Sequence, residues 1–278
     1  MEAKRSERRA RKATRFAELH ERGTFVIPNP WDVGSAKVLA GLGFEALATT
    51  SSGLAFTLGR ADGAVTLDEV TTHVEAVDRA TPLPVSTDLE DGYGPRPEDA
   101  ARAITAAAEA GAVGGSIEDF SGARGIHDHS EAVERVVAAV EAARKLPFPF
   151  TFTARAENFI RGNPDLADTI RRLRAFEQAG ADVLYAPGLR NAEQVAEVCA
   201  AVSAPVNVLA HRGLTLADLA TAGARRVSVG GSLAWSALRG LTEAAELIRD
   251  QGSFGGLARP PAELDHWLAG PERADDSN

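Results

Sequence analysis

The chain has 278 residues, a formal charge of −9 and a pI near 5.3. An acidic body lacks the footprint of a nucleic-acid binder. A single cysteine, Cys199, excludes an intrachain disulfide or a cysteine metal cluster, and no run reaches the roughly 18 apolar residues of a membrane span. No signal-like apolar segment follows the N-terminus, so a soluble cytoplasmic protein is expected, with length for one large α/β domain.

Residues 1–22 have the spacing of a charged amphipathic helix, and the basic run over 4–15 is read as its solvated face. Residues 24–29 form a short apolar run suited to a buried strand, and Pro30-Trp31-Asp32 is turn chemistry. Helical spacing over 35–42 stops at Gly43; 45–50 is a second strand, and the Ser- and Gly-rich segment 51–63 reads as a long loop. Residues 67–79 form a helix with Thr66 as cap and Glu69 three residues on. The third strand, 84–87, empties into Asp88, Glu90 and Asp91.

A helix over 97–110 opens on proline and closes at Gly111. The fourth strand, 112–117, ends at Glu118-Asp119, and a loop over 120–129 leads to a helix capped by Ser130 and running to 145. The fifth strand, 148–153, ends at Arg155. Helices at 165–179, 192–202, 216–222 and 232–249 then alternate with strands at 182–185, 205–209 and 226–229. A helical piece around Trp267 precedes a polar tail expected to be disordered.

This makes eight strand-then-helix units. Gly43, Gly111, Gly180 and Gly223 each end a helix just before a strand, and the first three are 68 and 69 residues apart, two units each time. A period near 35 residues with short apolar strands predicts an α/β chain folded as a (β/α)8 TIM barrel. The expected organisation is an N-terminal helix (1–22) packed on the barrel (23–251), followed by an extension (252–278). A doubly wound sheet is the alternative, weakened by the lack of a glycine-rich phosphate loop after the first strand.

In such a barrel the loops after the strands share one face, where chemistry sits. Three carboxylates within four residues, Asp88, Glu90 and Asp91, repel one another unless solvated or gathered on a cation. Glu118 and Asp119, after the neighbouring strand, would converge on them. Oxygen donors suit a hard cation, Mg²⁺ with Mn²⁺ as substitute. Arg155 opposite them would pair bidentately with a carboxylate or phosphonate. Thr50, Ser51 and Ser52 could hold an oxyanion. Asn207 and His211 follow strand seven, and Trp31, Asp32 and Gly53 are further substrate-side candidates. Several have bland readings: Asp32 as a helix cap, Arg155 as a structural partner of Glu118, His127 as a solvated loop residue, Cys199 as core.

Taken in order, Asn29-Pro30-Trp31-Asp32 with Ser35-Ala36, Asp88-Leu89-Glu90-Asp91-Gly92-Tyr93-Gly94, Ile117-Glu118-Asp119 and Ala154-Arg155 resemble the isocitrate lyase/phosphoenolpyruvate mutase superfamily over about residues 15–250. The resemblance implies the barrel, an eighth helix exchanged between subunits of a homodimer or homotetramer, Mg²⁺, and the enolate of an α-keto acid. It implies Asp88 and Glu90 as the metal pair and Glu118 as a third, mostly water-mediated ligand. Arg155 becomes the substrate-anion arginine, Thr50-Ser51-Ser52 the carboxylate or phosphonate grip, and Asp62 and Asn207 residues near the substrate. Trp235 and Trp267 would suit an exchanged helix.

The departures are as informative. The lyases carry a Lys-Lys/Arg-Cys-Gly-His loop after the strand-four glutamate and a glutamate ending strand six; the mutases carry a lysine and an asparagine in the former loop. Here 120–128 has no cysteine, lysine or asparagine, and strand six ends Tyr185-Ala186-Pro187-Gly188. The expectation is a Mg²⁺-dependent lyase cleaving or decarboxylating a small 2-oxo or 2-hydroxy (di)carboxylate. Arg124, His127 or water would reprotonate the enolate, under a lid at 120–129 hinged at Gly122 and Gly125. A P–C bond enzyme and a non-catalytic ligand-binding barrel are the alternatives.

Overall fold

The computed structural model describes residues 2–269, so the tail expected to be disordered lies, from residue 270 on, outside the described residues. Eight parallel strands form one sheet. They are β1 (Phe25–Ile27), β2 (Leu47–Ala48), β3 (Val85–Asp88), β4 (Gly114–Glu118), β7 (Thr151–Arg155), β8 (Val183–Tyr185), β9 (Val206–Leu209) and β10 (Arg226–Ser228). Their order, β1-β10-β9-β8-β7-β4-β3-β2, brings the first two strands to opposite ends of the ladder. The ends meet where Ala48 N–H donates to Pro28 O (3.1 Å) and Asn29 Nδ2 donates to Thr49 O (3.1 Å), completing a (β/α)8 barrel.

Alternate strand residues face opposite sides. On β7, Phe152 and Ala154 point out into the apolar shell, whereas Thr153 and Arg155 point into the bore. The shell is the core. It is filled from the strands and from α4 (Leu67–Ala80), α5 (Pro97–Ala110), α6 (His129–Arg144), α7 (Leu166–Gln178) and α8 (Ala192–Ala201). The bore is polar, with Ser86, Ser116, Asn207, Arg226 and Ser228 along it.

Local chemistry sets the helix ends. Thr66 caps α4 in a reciprocal box with Glu69, as its spacing predicts. Gly111 closes α5 at φ +118°, where a side chain would be strained and its Cβ would meet the Asp78 carboxylate at 2.8 Å. That carboxylate anchors α1 (Glu2–Leu19): Lys12 Nζ donates to Asp78 Oδ1 (2.7 Å) and Thr81 O (2.9 Å), and Arg8 pairs with the same aspartate. The expectation of a solvated basic face is therefore corrected at Lys12, which is buried and paired.

Four local expectations are also corrected. Within 51–63, Ser51–Thr57 is a helix, α3, because Thr50 caps it and Leu54 and Ala55 are buried; packing outweighs the weak propensity of Ser and Gly. The 120–129 loop contains an antiparallel hairpin of β5 (Phe120–Ser121) and β6 (Gly125–Ile126). Asp128, not Ser130, is the cap position of α6. Strand five begins at Thr151 because Pro147 and Pro149 remove ladder donors.

After α2 (Val33–Gly41) and the short α9 (Leu216–Thr221), α10 (Ser232–Gln251) buries only Ala234 and leaves Leu241 exposed. The chain then returns so that α11 (Leu264–Ala269) lies on α2, with Trp267 over Gly41, where a Cβ would come within 2.2 Å of the indole. Among the described residues no helix is long and apolar enough to cross a membrane.

Candidate active site

A cavity of about 750 Å³ opens at the C-terminal ends of the strands. Asp62, Asp88, Glu90, Asp91 and Glu118 line it against Arg155, Arg161 and Arg226. Asp88 and Glu118 are the last residues of β3 and β4, and Arg155 is the last of β7, so adjacent strands deliver all three to one level.

Arg155 stands between the carboxylates. Its Nη1 is 2.9 Å from Asp88 Oδ1 and its Nη2 is 2.9 Å from Glu118 Oε2. Nε and Nη2 both donate to Glu157 Oε1, at 3.0 and 2.8 Å. Burial works against its charge, but Glu157, Glu118 and Asp88 outweigh it and raise the pKa. Arg161 reaches the same group, with Nη2 3.2 Å from Glu118 Oε1 and Nε 3.5 Å from Glu157 Oε2. Its guanidinium lies 3.8 Å from the centroid of the Phe120 ring, joining the β7 loop to the hairpin.

Negative charge is in excess. Burial, followed by Asp88 and Asp62, pushes Glu90 up to about 7. Burial holds Glu118 well above the usual carboxylate range despite Arg155. Glu157 Oε2 is buried with no hydrogen-bond donor. The backbone is strained beside them: Glu90 (φ +46°) and Tyr93 (φ +60°) occupy the left-handed region without being glycine, a conformation concentrated at functional sites. That turn brings Tyr93 O–H to 3.2 Å from Glu90 Oε1.

Five carboxylates lining one cavity, more than the arginines beside them balance, are the oxygen-donor set that suits a hard divalent cation. The fit is one of composition. Among the described residues no three acidic, histidine or cysteine side chains already converge as a ready-made metal set. Arg155 ion-pairs with both Asp88 and Glu118.

Thr50, Ser51 and Ser52 start α3 at the cavity wall, and Ser51 N–H donates to Asp88 Oδ2 (3.2 Å). Asp62 lines the mouth and Asn207 the floor. Seven other candidates lie off the cavity. Asp32 is the cap of α2, accepting from Ser35 N–H at 2.6 Å. Gly53 packs against Trp31 and Thr50, its absent Cβ leaving the room Trp31 Cβ would otherwise contest at 2.9 Å. His211 is exposed and accepts from Gly213 N–H. Arg124 turns outward to Glu131 (2.7 Å), and His127 is buried behind the hairpin beside Glu131 and Arg135. Asp119 staples the strand ends from outside the cavity: Oδ1 accepts from Glu157 N–H (2.8 Å) and Oδ2 from Arg172 (2.9 Å).

Arg161, Tyr93, Tyr185, Arg226 and Ser228 line the cavity without having been singled out as site residues. A signal existed for two of them. Arg226 and Ser228 are polar at alternate positions of a buried strand, the pattern of a polar bore. Arg161, in the loop after β7, carries none.

The family profile described as phosphoenolpyruvate phosphomutase matches residues 16–249. Among solved structures, that of a candidate lyase/mutase from Burkholderia cenocepacia is 50% identical with a TM-score of 0.92, covering 95% of this chain and 98% of its own. The oxaloacetate decarboxylase of Paraburkholderia xenovorans is 31% identical over 232 residues, 79% of this chain and 76% of its own. Oxaloacetate acetylhydrolase in complex with its product oxalate is 26% identical with a TM-score of 0.83, over 93% of this chain and 94% of its own.

Proposed function

Because this chain belongs to the phosphoenolpyruvate phosphomutase family, within the isocitrate lyase/phosphoenolpyruvate mutase superfamily, we propose that it is a Mg²⁺-dependent lyase. It acts on a small 2-oxo or 2-hydroxy dicarboxylate through an enolate, by C–C cleavage or decarboxylation. The observation that carries this reading is the crowding of Asp88 and Glu118 on Arg155, with Glu90 beside Asp88 in the same cavity and more carboxylate than the arginines balance. The similarity to a decarboxylase and to an enzyme with oxalate as product supports the C–C reading, and the phosphomutase family keeps P–C chemistry as the alternative.

Asp88, Glu90 and Glu118 would hold the ion, directly or through water. A bound Mg²⁺ supplies Lewis-acid polarisation of the substrate oxo group. The chain's residues do the rest. Ser51 and Ser52 at the wall orient the acid group. Arg155, fixed by three carboxylates, presents a positive charge of defined position. Arg161 and the hairpin narrow the mouth and limit water. With Arg124 and His127 turned off the cavity, reprotonation is left to water, the remaining donor of the three expected. The exposed apolar side chains of α10 support exchange of that helix with a second copy, in a cytoplasmic dimer or tetramer.

The test is thermal stabilisation by oxalate with and without Mg²⁺. Ligand at about a hundred times its Kd adds about 2.7 kcal/mol to stability. A rise in Tm that requires both components is expected; no rise with Mg²⁺ in excess rejects the reading. Turnover of phosphonopyruvate followed by ³¹P NMR would instead move the assignment to P–C chemistry.

A further inference from the structure

Three arginines line the cavity, and two are already taken up by carboxylates: Arg155 by Asp88, Glu118 and Glu157, and Arg161 by Glu118 and Glu157. Arg226 differs. It is 4% exposed, and all its partners are uncharged. Nε donates to Asn207 Oδ1 (2.9 Å) and Nη2 to Thr153 Oγ1 (2.9 Å), while Nη1 lies 3.3 Å from His20 Nε2. His20 stays neutral, because its Nδ1 faces Phe16 O (2.8 Å) and must donate there, leaving Nε2 to accept from the arginine. A guanidinium has five N–H groups. Two of Arg226's therefore have no partner among the described residues.

The side chain starts on β10 and ends on β7, three strands away, so it crosses the bore and forms the floor. Asn207 and Ser228 stand beside it, with Asn207 Nδ2 donating to Ser228 Oγ (3.0 Å). A buried charge without an opposite partner is costly, and burial lowers the pKa of Arg226 to about 10. Replacing it by an apolar side chain of similar volume would remove that cost. An anion entering a cavity walled by carboxylates meets unshared positive charge at this one guanidinium.

We propose that the floor of the bore, formed by Arg226 with Asn207 and Ser228, is an anion subsite that takes the second, distal carboxylate of the substrate. The inference rests on the reading of the cavity as a carboxylate site and sharpens it. The substrate is a diacid, entering with one carboxylate down on Arg226 and its 2-oxo or 2-hydroxy acid end up at Asp88, Glu90 and Glu118.

Malate and lactate share the 2-hydroxy acid end and differ in the distal carboxylate, so their affinity ratio reads the floor alone. Calorimetric titration of the full chain with each, Mg²⁺ present, is expected to show malate at least about tenfold tighter, the scale of a hydrogen bond to a charged group. Arg226→Met should bring the ratio close to one and leave lactate binding unchanged. Thr153→Asp, which sets a carboxylate against Nη2 at similar volume, should do the same and serves if Arg226→Met does not fold. A ratio near one in the unaltered protein, no malate binding, or a ratio preserved in a folded variant overturns the subsite. Mg²⁺-dependent oxalate binding is measured in parallel: its absence counts against the lyase reading, while the malate-to-lactate ratio still decides the floor.

Discussion

Arg155 Nη2 lies 2.9 Å from Glu118 Oε2 while its Nη1 lies 2.9 Å from Asp88 Oδ1, so one guanidinium holds apart the two strand-end carboxylates best placed to share a cation. Removing its charge leaves Asp88, Glu118 and Glu157 facing one another with only Arg161 near. Arg155→Met should lower unfolding stability by about 3 kcal/mol, in the range for breaking a buried ion pair from one side. Glu157→Gln in the same background should recover part of the loss, because it removes one of the repelling charges. Urea titrations of the two single variants and the double variant measure this; equal losses in Arg155→Met with and without Glu157→Gln would reject the coupling.

Asp88→Asn and Glu118→Gln keep shape and remove charge. Both are expected to abolish the Mg²⁺-dependent oxalate shift while changing the ligand-free stability by less than about 2 kcal/mol, since each substitution also eases the crowding around Arg155. Differential scanning fluorimetry with and without both components checks it, and a full shift in either variant contradicts the assignment of that residue.

His20 gives a pH dependence of known sign. Burial, then Arg226, pushes its pKa from 6.5 down to about 3. Between those values the unfolded chain binds a proton that the folded chain does not. Stability from this group is complete above pH 6.5 and falls as pH drops toward 3, with about 2 kcal/mol lost by pH 5. His20→Gln should flatten that part of the profile. Denaturant midpoints at pH 7, 6 and 5 in both proteins make the comparison.

Arg161 fixes the hairpin by stacking on Phe120. Arg161→Ala removes a contact of roughly 0.5–2 kcal/mol and should speed amide exchange over 120–126 with no effect on exchange in β9, which Arg161 does not touch. Hydrogen-exchange mass spectrometry resolves the two segments, and unchanged protection of the hairpin would separate it from Arg161.

The barrel was legible because period, glycine stops and caps repeat: the 97–110 helix, its proline and its Gly111 closure stand where the spacing places them. The strand-end carboxylates were legible for the same reason, since the last residue of a barrel strand has a known address. What escaped depended on contacts between distant segments. Asp32 and Thr50 are both polar residues before a helix, yet only Thr50 lines the cavity, and nothing local separates them. Arg124 and Arg161 are both arginines in loops that follow barrel strands; Arg124 is drawn outward by Glu131 and Arg161 inward over Phe120. The α3 helix was missed because Ser and Gly dominate its first turn and its stability comes from Leu54 and Ala55 packing, which propensity does not register.

Phe152 outside and Thr153 inside, one residue apart on β7, recur as a rule along the strands of this barrel. The consequence is a division of labour by parity. Outward positions hold the protein together, so variation there is paid in solubility and abundance. Inward positions touch little of the apolar shell, so those outside the ion-pair cluster of Arg155 can change in charge and size while the scaffold persists. A lineage built on this barrel can change what it binds in single-residue steps, and mutational scanning of the strands should separate into two alternating classes, one scored by expression and the other by ligand.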